Sequence, residues 1–230
     1  MIYITGDTHG EQGRFEYLAT QGEINWTKDD YLIVCGDFGY LFRDVAYERV
    51  FLDRLEREKP YTICFCDGNH ENFPLIFSYP MEKWNGGYVH RIRKNIIHLM
   101  RGQIYEIDGK RIFSFGGGYS RDRYMRQVGI SYWPQELPSN SEYREATVNL
   151  RECDNCVDYI VSHTAPTEVI RRMARYPDVH EQELNGFFDW IMHEVSFKKW
   201  FFGHWHEEKE IEVRKDKSVR AIYFDVAEIR

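Results

Sequence analysis

Residues 31–66 have the sequence YLIVCGDFGYLFRDVAYERVFLDRLEREKPYTICFC, in which two apolar runs flank a segment of mixed polarity. The runs Tyr31 to Cys35 and Tyr61 to Cys66 are nearly continuous in apolar residues, which is typical of strands buried on both faces. Between them, Asp44 to Lys59 places valine, phenylalanine and leucine among charges and stops at Pro60, which predicts an amphipathic helix. A strand–helix–strand unit of this kind predicts parallel strands joined by a right-handed crossover.

Similar patterns extend to both ends of the chain and predict the remaining elements. Asp108-Gly109 separates the β-rich runs Ile104 to Ile107 and Arg111 to Phe115, which predicts a hairpin with a two-residue turn. Further strands are expected at residues 2–5, 157–162, 200–202, 209–213 and 219–224, helices at 142–152, 167–175 and 181–195, and a turn near Lys215-Asp216. The pattern indicates an α/β fold in which a second sheet stacks on the first and helices cover the outside.

Composition limits the classes of function. The chain has 230 residues, which suits one α/β domain over residues 1–230, although two small domains would also fit. Its 30 Lys and Arg against 37 Asp and Glu give a net charge of −7, which disfavours a broad electrostatic interaction with nucleic acid or anionic membrane. No apolar run approaches the ~20 residues that span a bilayer, and the chain opens without a signal-peptide pattern, so we expect a cytoplasmic protein.

The five cysteines do not form the pattern of a disulfide framework. Cys35, Cys64 and Cys66 lie inside apolar runs and are expected in the core. Cys153 and Cys156 form a C-x-x-C that could be a redox pair, half of a zinc site, or a coincidence at the end of a helix. No second C-x-x-C supplies the other two thiolates, which favours coincidence.

Five predicted strands are each followed directly by residues that can bind a metal ion or act through an imidazole. The segments are Gly6-Asp7-Thr8-His9, Gly36-Asp37, Gly68-Asn69-His70-Glu71, Ser162-His163 and Gly203-His204-Trp205-His206. Taken alone, each segment could be a turn with a helix cap or a hydrogen-bonded histidine. Because ligands of open α/β sheets bind beyond the carboxyl ends of the strands, the five together predict one shared site.

The five segments, in this order from residue 6 to residue 206, resemble the motifs of the calcineurin-like metallophosphoesterases. The resemblance implies a four-layer α/β/β/α sandwich of two mixed β-sheets flanked by helices, with two divalent metal ions at the strand ends. Carried over motif by motif, it implies seven metal ligands: Asp7, His9 and His206 on the first ion, Asn69, His163 and His204 on the second, and Asp37 bridging both. The same motifs place His70 beside the phosphate rather than on a metal.

The activity implied by the resemblance is hydrolysis of a phosphomonoester or phosphodiester. The resemblance implies that a metal pair lowers the pKa of a bound water to about 7, so that a bridging hydroxide attacks phosphorus in line while His70 assists the leaving group. Carboxylate, amide and imidazole donors without thiolate suit manganese, and also iron, zinc, nickel or cobalt. The alternative is a non-catalytic scaffold with this fold, which would be expected to have lost ligands or His70.

The substrate side of the site is less specified. Residues 116–141 begin with three glycines and then become aromatic and basic, which fits either a functional flap or a solvated loop whose aromatic residues pack down. Arg121 in this segment is our predicted phosphate contact.

The second motif departs from one branch of the family. Gly36-Asp37 continues as Phe38-Gly39-Tyr40 and lacks the arginine and second aspartate typical of the phosphoprotein phosphatases. A protein phosphatase is therefore disfavoured, and a small phosphomonoester, a nucleotide or a diester remains open as substrate. The sequence leaves the oligomeric state open as well.

Overall fold

A computed structural model of the chain describes residues 1–20, 24–214 and 217–229. The strands in these ranges are β1 (Ile2–Thr5), β2 (Tyr31–Val34), β3 (Thr62–Phe65), β4 (Met81–Trp84), β5 (Gly87–Arg93), β6 (Ile96–Leu99), β7 (Gln103–Ile107), β8 (Lys110–Phe115), β9 (Tyr159–Ser162), β10 (Lys199–Phe202), β11 (Lys209–Arg214), β12 (Lys217–Ala221) and β13 (Ala227–Ile229). The helices there are α1 (Gly13–Thr20), α2 (Ala46–Glu58), α3 (Phe73–Phe77), α4 (Asn140–Glu152), α5 (Thr167–Arg172) and α6 (Gln182–Glu194). None of the helices in these ranges is long and apolar enough to cross a bilayer.

The strands form two mixed sheets. The first has the order β13-β1-β2-β3-β6-β5-β4, with β1, β2, β3 and β6 parallel. The second has the order β11-β12-β10-β9-β8-β7, with β8, β9, β10 and β12 parallel and antiparallel strands at both edges. Parallel strands in the middle of each sheet put several loop-bearing carboxyl ends side by side.

Three apolar clusters show that the sheets and helices form four layers. Successive side chains on β2 point to opposite faces of the sheet. Leu32 packs with α1, α2 and α3, whereas Ile33 packs between the two sheets. On β10, Phe201 likewise lies between the sheets, whereas Trp200 packs with α4, α5 and α6. These side chains are at most 1% exposed. The predicted four-layer α/β/β/α sandwich is therefore confirmed.

Several predicted boundaries differ from the observed ones. The Asp108-Gly109 hairpin between β7 and β8 is confirmed, with positive φ at both turn residues. The helix expected to reach residue 175 ends at Arg172, because Ala174 adopts the left-handed conformation. The last long strand covers Lys217–Ala221 instead of residues 219–224. The predicted turn at residues 215–216 lies outside the described residues.

The cysteines lie where their sequence context predicts. Cys35, Cys64 and Cys66 are fully buried, and burial raises the pKa of each thiol. Cys153 is the C-terminal cap of α4, and its thiol donates to the Leu150 carbonyl oxygen at 3.1 Å. A helix-end position of this kind agrees with the interpretation of the C-x-x-C as coincidence.

Candidate metal centre

Loops at the carboxyl ends of five strands bring the seven predicted metal ligands together. The loops after β1, β2 and β3 come from the first sheet, and the loops after β9 and β10 come from the second. Their ligand-type side chains are Asp7 and His9, Asp37, Asn69, His163, and His204 with His206. The site therefore lies at one edge of the sandwich, where the two sheets meet.

The first group of donors consists of Asp7, His9 and His206. The Nε2 atoms of the two histidines lie 2.9 Å apart, and His206 Nε2 lies 3.1 Å from Asp7 Oδ2. His9 Nε2 is 3.6 Å from the same carboxylate oxygen and 3.8 Å from Asp37 Oδ2. These donor atoms are close enough together to hold one metal ion.

The second group consists of Asn69, His163 and His204. Asn69 Oδ1 lies 3.0 Å from both His163 Nε2 and His204 Nδ1, and these two nitrogens are 3.1 Å apart. Asp37 Oδ1 lies 3.4 Å from His163 Nε2, whereas its Oδ2 faces His9 of the first group. Asp37 is thus the carboxylate between the two groups.

The chemistry of the second group fits a cation. His163 Nδ1–H donates to the Cys35 carbonyl oxygen at 2.9 Å, so its Nε2 presents a lone pair when the ring is neutral. Asn69 Nδ2 donates to Ser120 Oγ at 3.2 Å, which turns Oδ1 toward the group. Burial lowers the pKa of His204 to about 3, so its ring is neutral. With His163 neutral, three lone-pair acceptors face one another, an arrangement that a cation between them would stabilise.

The electrostatics of the carboxylates also favour positive charge at this site. Asp7 and Asp37 are buried, which would raise the pKa of each. Contacts with His206 and His9 outweigh burial at Asp7 and hold its pKa below the usual range. The pKa of Asp37 is lowered as well, because His163 and His70 oppose the effect of burial. Two adjacent buried carboxylates that remain ionised need compensating positive charge, which protonated histidines or bound metal ions would supply.

The backbone of the site is held in uncommon conformations. His9, Asp37, His204 and His206 have φ between 47° and 65°, in the left-handed region that few residues other than glycine adopt. A Cβ at Gly203 would overlap the Asp7 carboxylate. Such conformations persist only where the surrounding contacts enforce them, and they concentrate at functional sites.

Comparison with protein families decides the assignment. Residues 1–208 match the family of calcineurin-like phosphoesterases. The chain belongs to this family. The resemblance drawn from the five motifs is therefore confirmed, and membership of the family implies divalent metal ions, for which the structure has candidate ligand groups.

Solved structures share the fold at low sequence identity. A candidate 5′-nucleotidase from Staphylococcus aureus matches with a TM-score of 0.54 and 13% identity, over 98% of this chain and 49% of that chain. A phosphopantetheinyl hydrolase from Mycobacterium tuberculosis matches with a TM-score of 0.49 and 15% identity, over 96% of this chain and 89% of that chain. A 5′-nucleotidase from Candida albicans matches with a TM-score of 0.46 and 15% identity, over 97% of this chain and 45% of that chain. The chain thus spans about half the length of the S. aureus protein. No curated protein matches the chain in sequence.

Glu71 connects two of the metal-site loops of this phosphoesterase. Its carboxylate accepts from the Phe38 N–H at 2.6 Å and from the Gly68 N–H at 2.7 Å, and the side chain is fully buried. These bonds join the loop after β2 to the loop after β3, and so set Asp37 against Asn69. No pattern around Glu71 in the sequence indicates this role, because both partners are backbone groups.

Glu181 is a further residue of the site that no motif marks. It ends a short 3₁₀ turn before α6 and is 1% exposed. Its Oε1 lies 3.5 Å from His204 Nε2 and accepts from the Tyr119 N–H at 2.7 Å. Histidines that bind a metal through one nitrogen commonly face a carboxylate or carbonyl with the other. Glu181 is therefore placed to orient His204, whose Nδ1 faces Asn69.

Glu181→Gln should weaken metal binding without unfolding the protein. Glutamine can still accept from Tyr119, but it removes the carboxyl group beside His204, and loss of a group that contacts a metal ligand typically costs about 10–100-fold in metal affinity. Calorimetric titration of the metal-free protein with Mn²⁺ measures the change. Glu183→Gln, at an exposed position on α6, is the matched control. Equal Mn²⁺ affinity of the two variants would contradict this role.

His70 lies at the wall of a cavity of about 230 Å³ beside both donor groups. Its Nε2 is 4.0 Å from Asp37 Oδ2 and could by distance alone join His9 and Asp37 as a ligand. The same nitrogen, however, lies 3.0 Å from Arg126 Nη2. Because a guanidinium there disfavours a second cation, we retain the prediction that His70 serves the phosphate rather than a metal.

Residues 116–141 contain features of both predicted alternatives. Ser120 and Glu136 are buried and hold Asn69 in place through Ser120 Oγ, and Trp133 is 4% exposed, whereas Tyr124 is 84% exposed. The segment is therefore partly built into the site and partly open to solvent.

Arg121 lies on the cavity wall, but its guanidinium is directed mainly to neighbouring protein groups. It lies 4.7 Å from the centre of the Trp205 ring and donates to the Tyr176 carbonyl oxygen at 3.1 Å. Its side chain is 49% exposed. Its role as a phosphate contact remains a prediction, and Arg126 on the same wall is a second candidate.

Proposed function

We propose that the chain is a dinuclear metal-dependent phosphoesterase acting on a small phosphorylated substrate. The observation that carries the proposal is the position of Asp37, whose two carboxylate oxygens face two separate groups of donors. Asp7, His9 and His206 would hold one ion, and Asn69, His163 and His204 the other. Manganese is the first choice for these ligands, and iron, zinc, nickel or cobalt would also suit them.

The protein groups around the cavity define what the site can do. Two divalent ions bound there would supply Lewis-acid stabilisation of the phosphoryl oxygens and a nucleophile at neutral pH. His70 has a side chain that is 29% exposed on the cavity wall, and it would donate a proton to the leaving oxygen once its Nε2 carries a proton in place of the hydrogen bond from Arg126. Asp7 and Asp37 offset the charge of the ions, so that a bound phosphate meets a centre of moderate positive charge.

The size of the cavity and the family favour a small substrate. About 230 Å³ accommodates a phosphate and a few attached atoms, with the rest of the substrate outside. One structure with the same fold is described as a candidate 5′-nucleotidase, so a nucleotide is a reasonable substrate to test.

Hydrolysis should depend on added metal. We expect protein stripped with a chelator to be inactive on p-nitrophenyl phosphate and bis-p-nitrophenyl phosphate, and to regain activity with Mn²⁺ at about two ions per chain. Elemental analysis and the release of p-nitrophenolate measure the two quantities, and parallel assays with Fe²⁺, Zn²⁺, Ni²⁺ and Co²⁺ rank the metals. Activity that survives chelation would contradict the dependence on metal, and no activity with any of these metals would instead favour a non-catalytic scaffold.

A further inference from the structure

Arg126 is held rigidly on the cavity wall beside His70. It follows the 3₁₀ turn Arg123–Met125, and its side chain is 13% exposed. Its Nε donates to Asp122 Oδ1 at 2.7 Å, and its Nη1 donates to the Ser131 carbonyl oxygen at 3.2 Å. With two of its three nitrogens held in this way, the third, Nη2, is directed into the cavity.

The partner of Nη2 in the structure is a weak one. Nη2 lies 3.0 Å from His70 Nε2, a single acceptor atom, and within the described part of the chain it forms no ion pair with a carboxylate. Guanidinium groups bind phosphate oxygens more strongly than neutral acceptors, since the hydrogen bonds are charge-assisted and the planar fork matches the anion. Arg126 and His70 line the same cavity as Asp37, so an oxygen of a phosphate bound in that cavity would lie within reach of Nη2.

We propose that Arg126 binds the substrate phosphate and makes the site prefer phosphomonoesters to diesters. A monoester dianion carries one more negative charge than a diester, so a fixed cation beside the metal centre stabilises it more. Asp122 is the positioning residue that holds the guanidinium in this orientation. The inference rests on the proposed hydrolase function, and it assigns the phosphate contact to Arg126 in place of Arg121.

The test compares Arg126→Ala and Arg126→Lys with the unmodified protein loaded with Mn²⁺. For Arg126→Ala we expect KM for p-nitrophenyl phosphate to rise about 10- to 100-fold, the loss typical of a charge-assisted hydrogen bond. KM for bis-p-nitrophenyl phosphate should rise less than KM for the monoester. Lysine keeps the positive charge but lacks the planar N–H donors of the guanidinium, so Arg126→Lys should retain part of the monoester affinity that Arg126→Ala loses. Calorimetric binding of inorganic phosphate should weaken by the same factor as the monoester KM.

Two further arginines serve as controls. Arg121→Ala removes a guanidinium from the same cavity wall and should change the monoester KM less than Arg126→Ala does. Arg144→Ala, at an exposed position on α4, should change nothing. All variants are compared only after their unfolding midpoints are shown to match.

The outcomes separate this inference from the proposed function. Phosphate binding to the Mn²⁺-loaded protein reports on Arg126 even if the unmodified protein hydrolyses neither ester, a result that would contradict the hydrolase proposal alone. Unchanged phosphate binding in Arg126→Ala would overturn the role of Arg126. Equal increases in KM for both esters would overturn the preference for monoesters.

Discussion

Replacing Asp37 with asparagine is expected to abolish metal-dependent hydrolysis. The value of kcat/KM should fall by more than about 100-fold, which is the loss that removing a group in contact with a metal ligand can cause. Asp37 faces both donor groups, with Oδ1 toward His163 and Oδ2 toward His9. Asparagine keeps the shape of the side chain, but it removes the negative charge and replaces one oxygen with an N–H donor. Both ions should therefore bind less tightly.

The experiment measures bound Mn²⁺ by elemental analysis and kcat/KM with p-nitrophenyl phosphate. The Asn69 and His70 N–H groups both donate to Asp37 Oδ1 at 2.8 Å, and the asparagine carbonyl can accept these bonds, so the fold should survive. Asp29→Asn, in an exposed loop before β2, makes the same chemical change away from the site. An Asp37→Asn protein that holds two ions and hydrolyses at a near-normal rate would contradict the shared role of Asp37.

The fold was largely predictable because its central strands are locally apolar and buried on both faces. Leu32 and Ile33 contact different layers, yet each is fully buried, so the run 31–35 contains no polar interruption. The missed elements lack such local signals. α1 buries Phe15 and Leu18 within only eight residues, and β13 is three residues long. Pairing of β13 with β1 joins Ile229 to Ile2, a contact that no local pattern can reveal.

The candidate site was predictable to the extent that its residues follow strands. Asp7, Asp37 and His163 occupy strand ends, and because ligands of α/β sheets bind at these ends, the order of strands along the chain is enough to group them. Glu181 and Arg126 follow no strand. Their places depend on how a 3₁₀ turn and an irregular segment pack over the loops, which is determined by tertiary contacts such as the bond from Tyr119 to Glu181.

His70→Asn should retain both metal ions and lose most turnover on substrates whose leaving group needs a proton. General acids typically increase reaction rates about 100- to 10,000-fold, so kcat for phenyl phosphate should fall by a factor in that range. p-Nitrophenolate leaves without a proton, and kcat for p-nitrophenyl phosphate should fall much less. The metal content should persist, because none of the seven proposed ligands is changed.

The difference between the two leaving groups tests the chemical role of His70 rather than its presence in the site. If His70 only positions the loop that carries Asn69, both esters should slow by the same factor. If it is a metal ligand, bound Mn²⁺ should fall and again both esters should slow together. His193→Asn, at an exposed position on α6, makes the same substitution far from the cavity and should leave both rates unchanged. Only a proton donor makes the loss depend on the leaving group, since it acts on the oxygen that departs. Near-normal turnover of phenyl phosphate at saturating concentration would therefore exclude His70 as that donor and would require another group on the cavity wall.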